Sequence, residues 1–234
     1  MQQIIAKRII REEDLDNYRL LYKGKNGEVR RLSKEEVLKI ISDIILEISF
    51  NISPYSKSII ERNVLYSHKY SYPEEFYLPT SAVYTEKGFI GYTQEYFKGV
   101  DIIDYYRDLL RERGTYTFNG ILEPYKKLNE ALKGATHTVC PDLASGGNIL
   151  VDYYDNIAIT DFAGLQIGGR PSTDISCFII SSHAGIQDQV QEDMECTKYM
   201  KRDLFTKELD KRTLLVMMLR DVSRSRPLRL SICR

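Results

Sequence analysis

The stretch Cys140–Gly164, CPDLASGGNILVDYYDNIAITDFAG, constrains this chain more than any other, because it sets acidic and amide side chains at the end of what reads as a short hairpin. Ile149–Val151 and Ile157–Thr160 are apolar runs rich in β-branched residues, and Asp155-Asn156 between them is a turn signal, so the pattern predicts two antiparallel strands. Such a hairpin brings Asn148, just before the first strand, to the same end as Asp161, just after the second. Asp142 lies nearby, opening the loop that Asn148 closes. Oxygen ligands and a carboxylate gathered at one end suit metal–phosphate chemistry. A DxxxxxN spacing or a DF pair alone occurs in ordinary surface hairpins; the combined string with its flanking apolar strands carries the weight.

Composition bounds the reading without directing it. A chain of 234 residues fits one domain, or two small lobes sharing a cleft, and buries a sizeable core. Lys+Arg and Asp+Glu balance at 33 each, so no global charge points to nucleic acid or an anionic membrane. Cys140, Cys177, Cys196 and Cys233 are far apart with no CxxC pair, which argues against a zinc ribbon or a disulfide framework and predicts a reducing cytoplasm. No apolar run approaches the roughly 18 residues of a membrane span, and Met1–Ile10 carries Lys7 and Arg8 in place of a signal-peptide core.

The fold class expected is α+β, with a sheet lobe over 1–96 followed by a mainly helical lobe over 97–234. Gln3–Ile10 reads as a strand, and Tyr18–Tyr22 pairs with Glu28–Leu32 across the Asn26-Gly27 turn. Ser33 and Glu36 form a capping box, and Val37, Ile40, Ile41, Ile44 and Ile45 recur at helical spacing, so a helix is predicted from Ser33. That helix would carry Lys39; the alternative is a strand over Val37–Ile41. Ser56–Tyr66 is a second predicted helix, and Leu78–Tyr84 and Phe89–Tyr96 are strands joined by Thr85–Gly88. Ile102–Leu110 and Ile121–Leu132 are amphipathic helices, the second closed by Gly134. His68 and His137 read as loop histidines. Gln187–Lys207 and Glu208–Val222 read as charged helices, and the basic tail Arg220–Arg234 as a solvated run.

The ordered residues Asp142, Asn148 and Asp161-Phe162-Ala163 resemble the catalytic core of the protein-kinase-like superfamily, where an HRDLxxxN loop, a hairpin and a DFG motif follow one another. Asn148 and Asp161 are 13 apart (161 − 148), as in that family. The resemblance spans roughly 18–180 and is that of a small, divergent, bacterial-type member. It implies a bilobal fold, an N-terminal antiparallel sheet lobe and a mainly helical C-terminal lobe, with ATP and Mg²⁺ as cofactors. Asp142 would be the base, and Asn148 and Asp161 the metal ligands. Gln94–Asp101 is similar to the kinase hinge, so the backbone of Glu95, Tyr96 and Phe97 would meet adenine and Asp101 would sit near the ribose. Lys39 is the candidate for the phosphate-holding strand lysine, Glu61 for the helix glutamate that pairs with it, and Asp174 for the brace of the catalytic loop. Gly24–Val29 looks like the second half of a glycine-rich loop.

The sequence departs from the family at several points. Cys140 stands where the family has His, with His137 a candidate substitute. Asp142 and Asn148 are six apart (148 − 142), one more than usual, and the glycine of DFG is displaced to Gly164. The function implied is a phosphotransferase moving the γ-phosphate to a hydroxyl on an unknown protein or small-molecule acceptor. The departures favour an alternative, a pseudokinase or regulatory binding module. A third reading is a globular interaction protein whose hairpin only imitates the motif.

Overall fold

The computed structural model describes residues 5–24, 27–41, 57–106, 118–140, 147–162, 165–167, 214–215 and 217–218. Its fold is mixed α+β, divided into two compact units: Met1–Ser71 with Tyr77–Phe97, and Tyr72–Phe76 with Lys98–Arg234.

In the first unit, β1 (Ala6–Ile9), β2 (Arg19–Gly24), β3 (Gly27–Arg31), β4 (Glu36–Ile41), β5 (Pro79–Thr85) and β6 (Gly88–Glu95) form one sheet in the order β1-β5-β6-β4-β3-β2. β1 runs parallel to β5, and the other neighbours are antiparallel. The helix predicted from Ser33 is overturned: Glu36–Ile41 is a strand between β3 and β6. The apparent capping box is instead the turn entering it. Ser33 Oγ accepts from the Glu35 amide at 3.1 Å, while the Leu32 and Ser33 amides both donate to the Glu36 carbonyl, at 3.0 and 3.2 Å. Both faces of β4 are covered, which is why its apolar residues run on without clean alternation. Leu38 and Ile40 pack with Ile10 and Val83 against Leu15 and Tyr18. On the opposite face, the cross-strand row Lys7, Ala82, Tyr92, Lys39 and Val29 lies toward helix α1 (Lys57–Tyr66), which buries Ile60 and Val64 and packs on β5 and β6.

The second unit is assembled around the hairpin. β9 (Ile149–Val151) and β10 (Ile157–Ile159) pair antiparallel as the expected hairpin, with Ile149 opposite Ile159 and β7 (Val100–Asp101) on the outer side of β9. Asp155 takes a φ of 61° in the turn, and Asp152 closes it by accepting the amides of Tyr154 and Asn156 at 2.8 and 2.9 Å. The five hairpin residues Ile149, Val151, Ile157, Ala158 and Ile159 are buried, and each large one contributes about 1.5–3 kcal/mol. Segment Tyr72–Phe76 flanks β10: Phe76 bridges Ile159 in parallel, and the Ile159 amide donates to the Glu75 carbonyl at 2.7 Å. A helix, α2, begins at residue 102 and is described to 106, and α3 (Phe118–Gly134) turns Tyr125, Leu128, Ala131 and Leu132 inward in the predicted stripe. β8 (Thr138–Val139) pairs with β11 (Gln166–Ile167) across the hairpin's polar end in sequence. The expected helices at 187–222 and Asp174 lie outside the described residues, save 214–215 and 217–218, which are helical. Among the described residues no helix is long and apolar enough to cross a membrane.

Candidate functional site

The hairpin register puts Thr160 on the rung after Ile159, facing Asn148, and the Thr160 amide donates to the Asn148 carbonyl at 3.0 Å. Asn148 is buried, and Asp161, next along, is half-buried. Phe162 anchors Asp161 from the other side: its ring is buried and meets Tyr72 edge-on, with centroids 5.7 Å apart. Tyr72 is held in turn by the Thr138 hydroxyl, which donates to its phenol oxygen at 2.9 Å. The hairpin thus brings Asn148 and Asp161 to one polar end, as their spacing predicted. Asp142 lies outside the described residues, and Cys140 at the head of its loop is a buried thiol.

Gly147 leads into Asn148 with a φ of 84°, in the left-handed region that glycine alone enters freely. Its amide donates to one carboxylate oxygen of Asp101, and its carbonyl accepts the Thr160 hydroxyl at 2.8 Å. The other Asp101 oxygen accepts the Ile103 amide at 2.7 Å, capping the start of α2. Asp101, expected near a ribose, therefore has both oxygens engaged by backbone amides of its own unit.

In the first unit, Lys39 is half-buried on β4, directly opposite Tyr92. Its face is the one covered by α1: Lys7 in the same cross-strand row lies 5.2 Å over the Tyr84 ring, and the Tyr84 hydroxyl donates to Glu61 of α1 at 2.6 Å. Burial, reinforced by that bond, pushes the Tyr84 phenol well above its ordinary range. The Glu61 carboxylate, expected to pair with the lysine, is thus bonded to Tyr84. In the hinge-like stretch, Glu95 ends β6 opposite Glu36, the Tyr96 amide donates to the Glu35 carbonyl at 2.7 Å, and the Tyr96 ring stacks under the Arg31 guanidinium at 3.8 Å. Phe97 packs edge-on against Tyr77. The Tyr96 amide is therefore already engaged. Gln94 beside it is 6% exposed, and its Oε1 is buried with no hydrogen-bond partner.

Asn148 and Asp161 supply only oxygen donors, a set that fits a hard cation such as Mg²⁺, which takes one or two carboxylates and completes its shell with phosphate and water. Among the described residues, no three His, Cys, Asp or Glu side chains gather into a metal-binding group, so phosphate, water or Asp142 would have to complete the coordination. No family model matches the chain, and no curated protein matches it. Sequence reasoning missed Thr160 and Tyr72 as parts of this end. Thr160 was legible from the hairpin register, which pairs 148 with 160 once 149 is set opposite 159; Tyr72 left no signal, being 90 residues (162 − 72) from the phenylalanine it touches.

Proposed function

We propose that this chain is a kinase-like phosphotransferase that uses ATP and Mg²⁺ to move the γ-phosphate to a hydroxyl acceptor. The observation that carries the reading is the shared polar end of the hairpin, where Asn148 and Asp161 sit one rung apart, the first tied by Thr160 and the second flanked by buried Phe162. In this reading the two units are the sheet lobe and the helical lobe of a bilobal kinase-like layout, and Asp142 is the base. Bound Mg²⁺ would neutralise charge on the phosphates; the chain's own residues would hold and orient, Asn148 and Asp161 by donating oxygens. Lys39 supports the reading: it lies on the third strand of the β2-β3-β4 meander, on the face covered by the helix that follows. So does Gln94, whose unmatched buried acceptor is a group that an exocyclic amine of a base would satisfy.

A thermal-shift titration with ATP, with and without Mg²⁺, tests this. A ligand at about 100 times its Kd adds about 2.7 kcal/mol, well within measurement. Asp161→Asn should remove the Mg²⁺-dependent part of the shift and leave the fold intact, since no cavity is made. No stabilisation by millimolar Mg²⁺·ATP would sink the proposal.

A second reading, a nucleotide-binding regulatory module without efficient catalysis, is favoured by two contacts: Glu61 is bonded to Tyr84, and the Tyr96 amide to Glu35. It predicts Mg²⁺·ATP binding with no transfer or hydrolysis above background.

A further inference from the structure

We infer that Asp101 and Thr160 are positioning residues that clamp Gly147, and through it fix where Asn148 is presented to a bound metal; the inference rests on the metal–phosphate reading given above. Asp101 is on β7 and Thr160 just beyond β10, on opposite sides of central strand β9. From one side, Asp101 takes the Gly147 amide; from the other, Thr160 donates its hydroxyl to the Gly147 carbonyl at 2.8 Å and its amide to the Asn148 carbonyl at 3.0 Å. Both polar backbone groups of Gly147 and the carbonyl of Asn148 are thereby held. With its φ at 84°, the peptide entering Asn148 is left one way to run.

The chemistry selects a carboxylate at 101. Two backbone donors, from Gly147 and Ile103, converge on its two oxygens, and an ionised carboxylate is acceptor-only. An amide there offers one acceptor and one donor, so one of the two N–H groups would face a second donor. Asp101 holds the hairpin end as well as capping α2.

The full chain carrying Asp101→Asn tests this, read by the amide resonance of Gly147 in nitrogen-labelled protein and by nucleotide titration. The Gly147 amide should move upfield and exchange faster. Binding of ATP without metal should be unchanged, while the apparent Mg²⁺ affinity in the presence of ATP falls by about 10–100-fold, the usual loss when the group orienting a metal ligand is removed. Thr160→Val should reproduce the Mg²⁺ loss and Thr160→Ser should restore it, so the test survives if Asp101→Asn fails to fold. An unperturbed Gly147 amide overturns the inference. So does a variant that weakens ATP equally with and without Mg²⁺ and no longer distinguishes ATP from 2′-deoxy-ATP, the mark of a ribose contact. If wild-type protein binds no Mg²⁺·ATP yet the Gly147 amide responds to both substitutions, the functional reading falls and the clamp on Gly147 stands.

Discussion

Tyr84 donates its hydroxyl to the Glu61 carboxylate at 2.6 Å, and burial together with that bond raises its pKa above the ordinary value of 10.0. The protonated phenol is therefore favoured more in the folded than in the unfolded chain. The stability it adds is fully present below about pH 10 and is lost as pH rises from there toward the folded value. Tyr84→Phe should destabilise the protein by about 1.5–3 kcal/mol at pH 8, the worth of a hydrogen bond to a charged group. Urea unfolding at pH 11 should show a smaller difference between the two proteins; a difference that grows with pH would contradict this account. At this scale, the sequence exposes residues whose placement follows from local register and hides those set by distant partners. Asn148 and Asp161 are separated by a short hairpin, so their shared end follows from the turn. Asp101 reaches Gly147 across 46 residues, and nothing in its own neighbourhood distinguishes an acid that caps a loop from one that meets a sugar.

β4 shows how an element is misread when both of its faces are buried. Val37, Leu38 and Ile41 are all buried, one set against Leu15, Tyr18 and Val83 and the other toward α1, so the alternation that marks a half-exposed strand is absent. A near-continuous apolar run matches a helical template almost as well as a strand. β5 and β6 were legible because Lys87-Gly88 interrupts them, and α3 because its polar face is solvated. The tight packing of β4 has a testable consequence at Gly91, opposite Ile40 on β6. A Cβ there would lie 1.9 Å from the Lys39 carbonyl oxygen, closer than any backbone tolerates. Gly91→Ala should force β4 and β6 apart beside Lys39, at the upper end of the roughly 1–3 kcal/mol typical of overpacking. Chemical denaturation measures it, and unchanged stability would mean the two strands do not approach so closely.

The division of the molecule does not follow a single cut in the chain. The first unit is interrupted by Tyr72–Phe76, which belongs to the second, so five residues between α1 and β5 are structural parts of the hairpin sheet. Their role there is specific. The Glu75 carbonyl accepts the Ile159 amide at 2.7 Å, Phe76 bridges Ile159, and Tyr72 packs on Phe162 while its phenol oxygen accepts from Thr138. Removing them strips β10 of its outer neighbour and exposes Phe162, the residue that anchors Asp161. Each lost backbone bond that leaves a buried donor unmatched costs about 1–3 kcal/mol, and each large apolar side chain exposed about 1.5–3 kcal/mol, against a total stability of about 5–15 kcal/mol for a whole domain. Nothing in the sequence Tyr-Pro-Glu-Glu-Phe marks it for this duty, since its partners lie more than 60 residues onward, as with Thr138 (138 − 72 = 66). A fragment of residues 98–234 should accordingly lack a cooperative thermal transition, followed by near-ultraviolet circular dichroism of its tyrosines. Joining residues 71–77 to residue 98 through a short Gly-Ser linker should restore one, because the same backbone and ring contacts become available again. A Tyr72→Ala, Phe76→Ala version of the linked fragment should lose it once more. If the 98–234 fragment alone melted cooperatively at the temperature of the same unit in the full chain, the hairpin sheet would be self-sufficient and Tyr72–Phe76 only a passing connection.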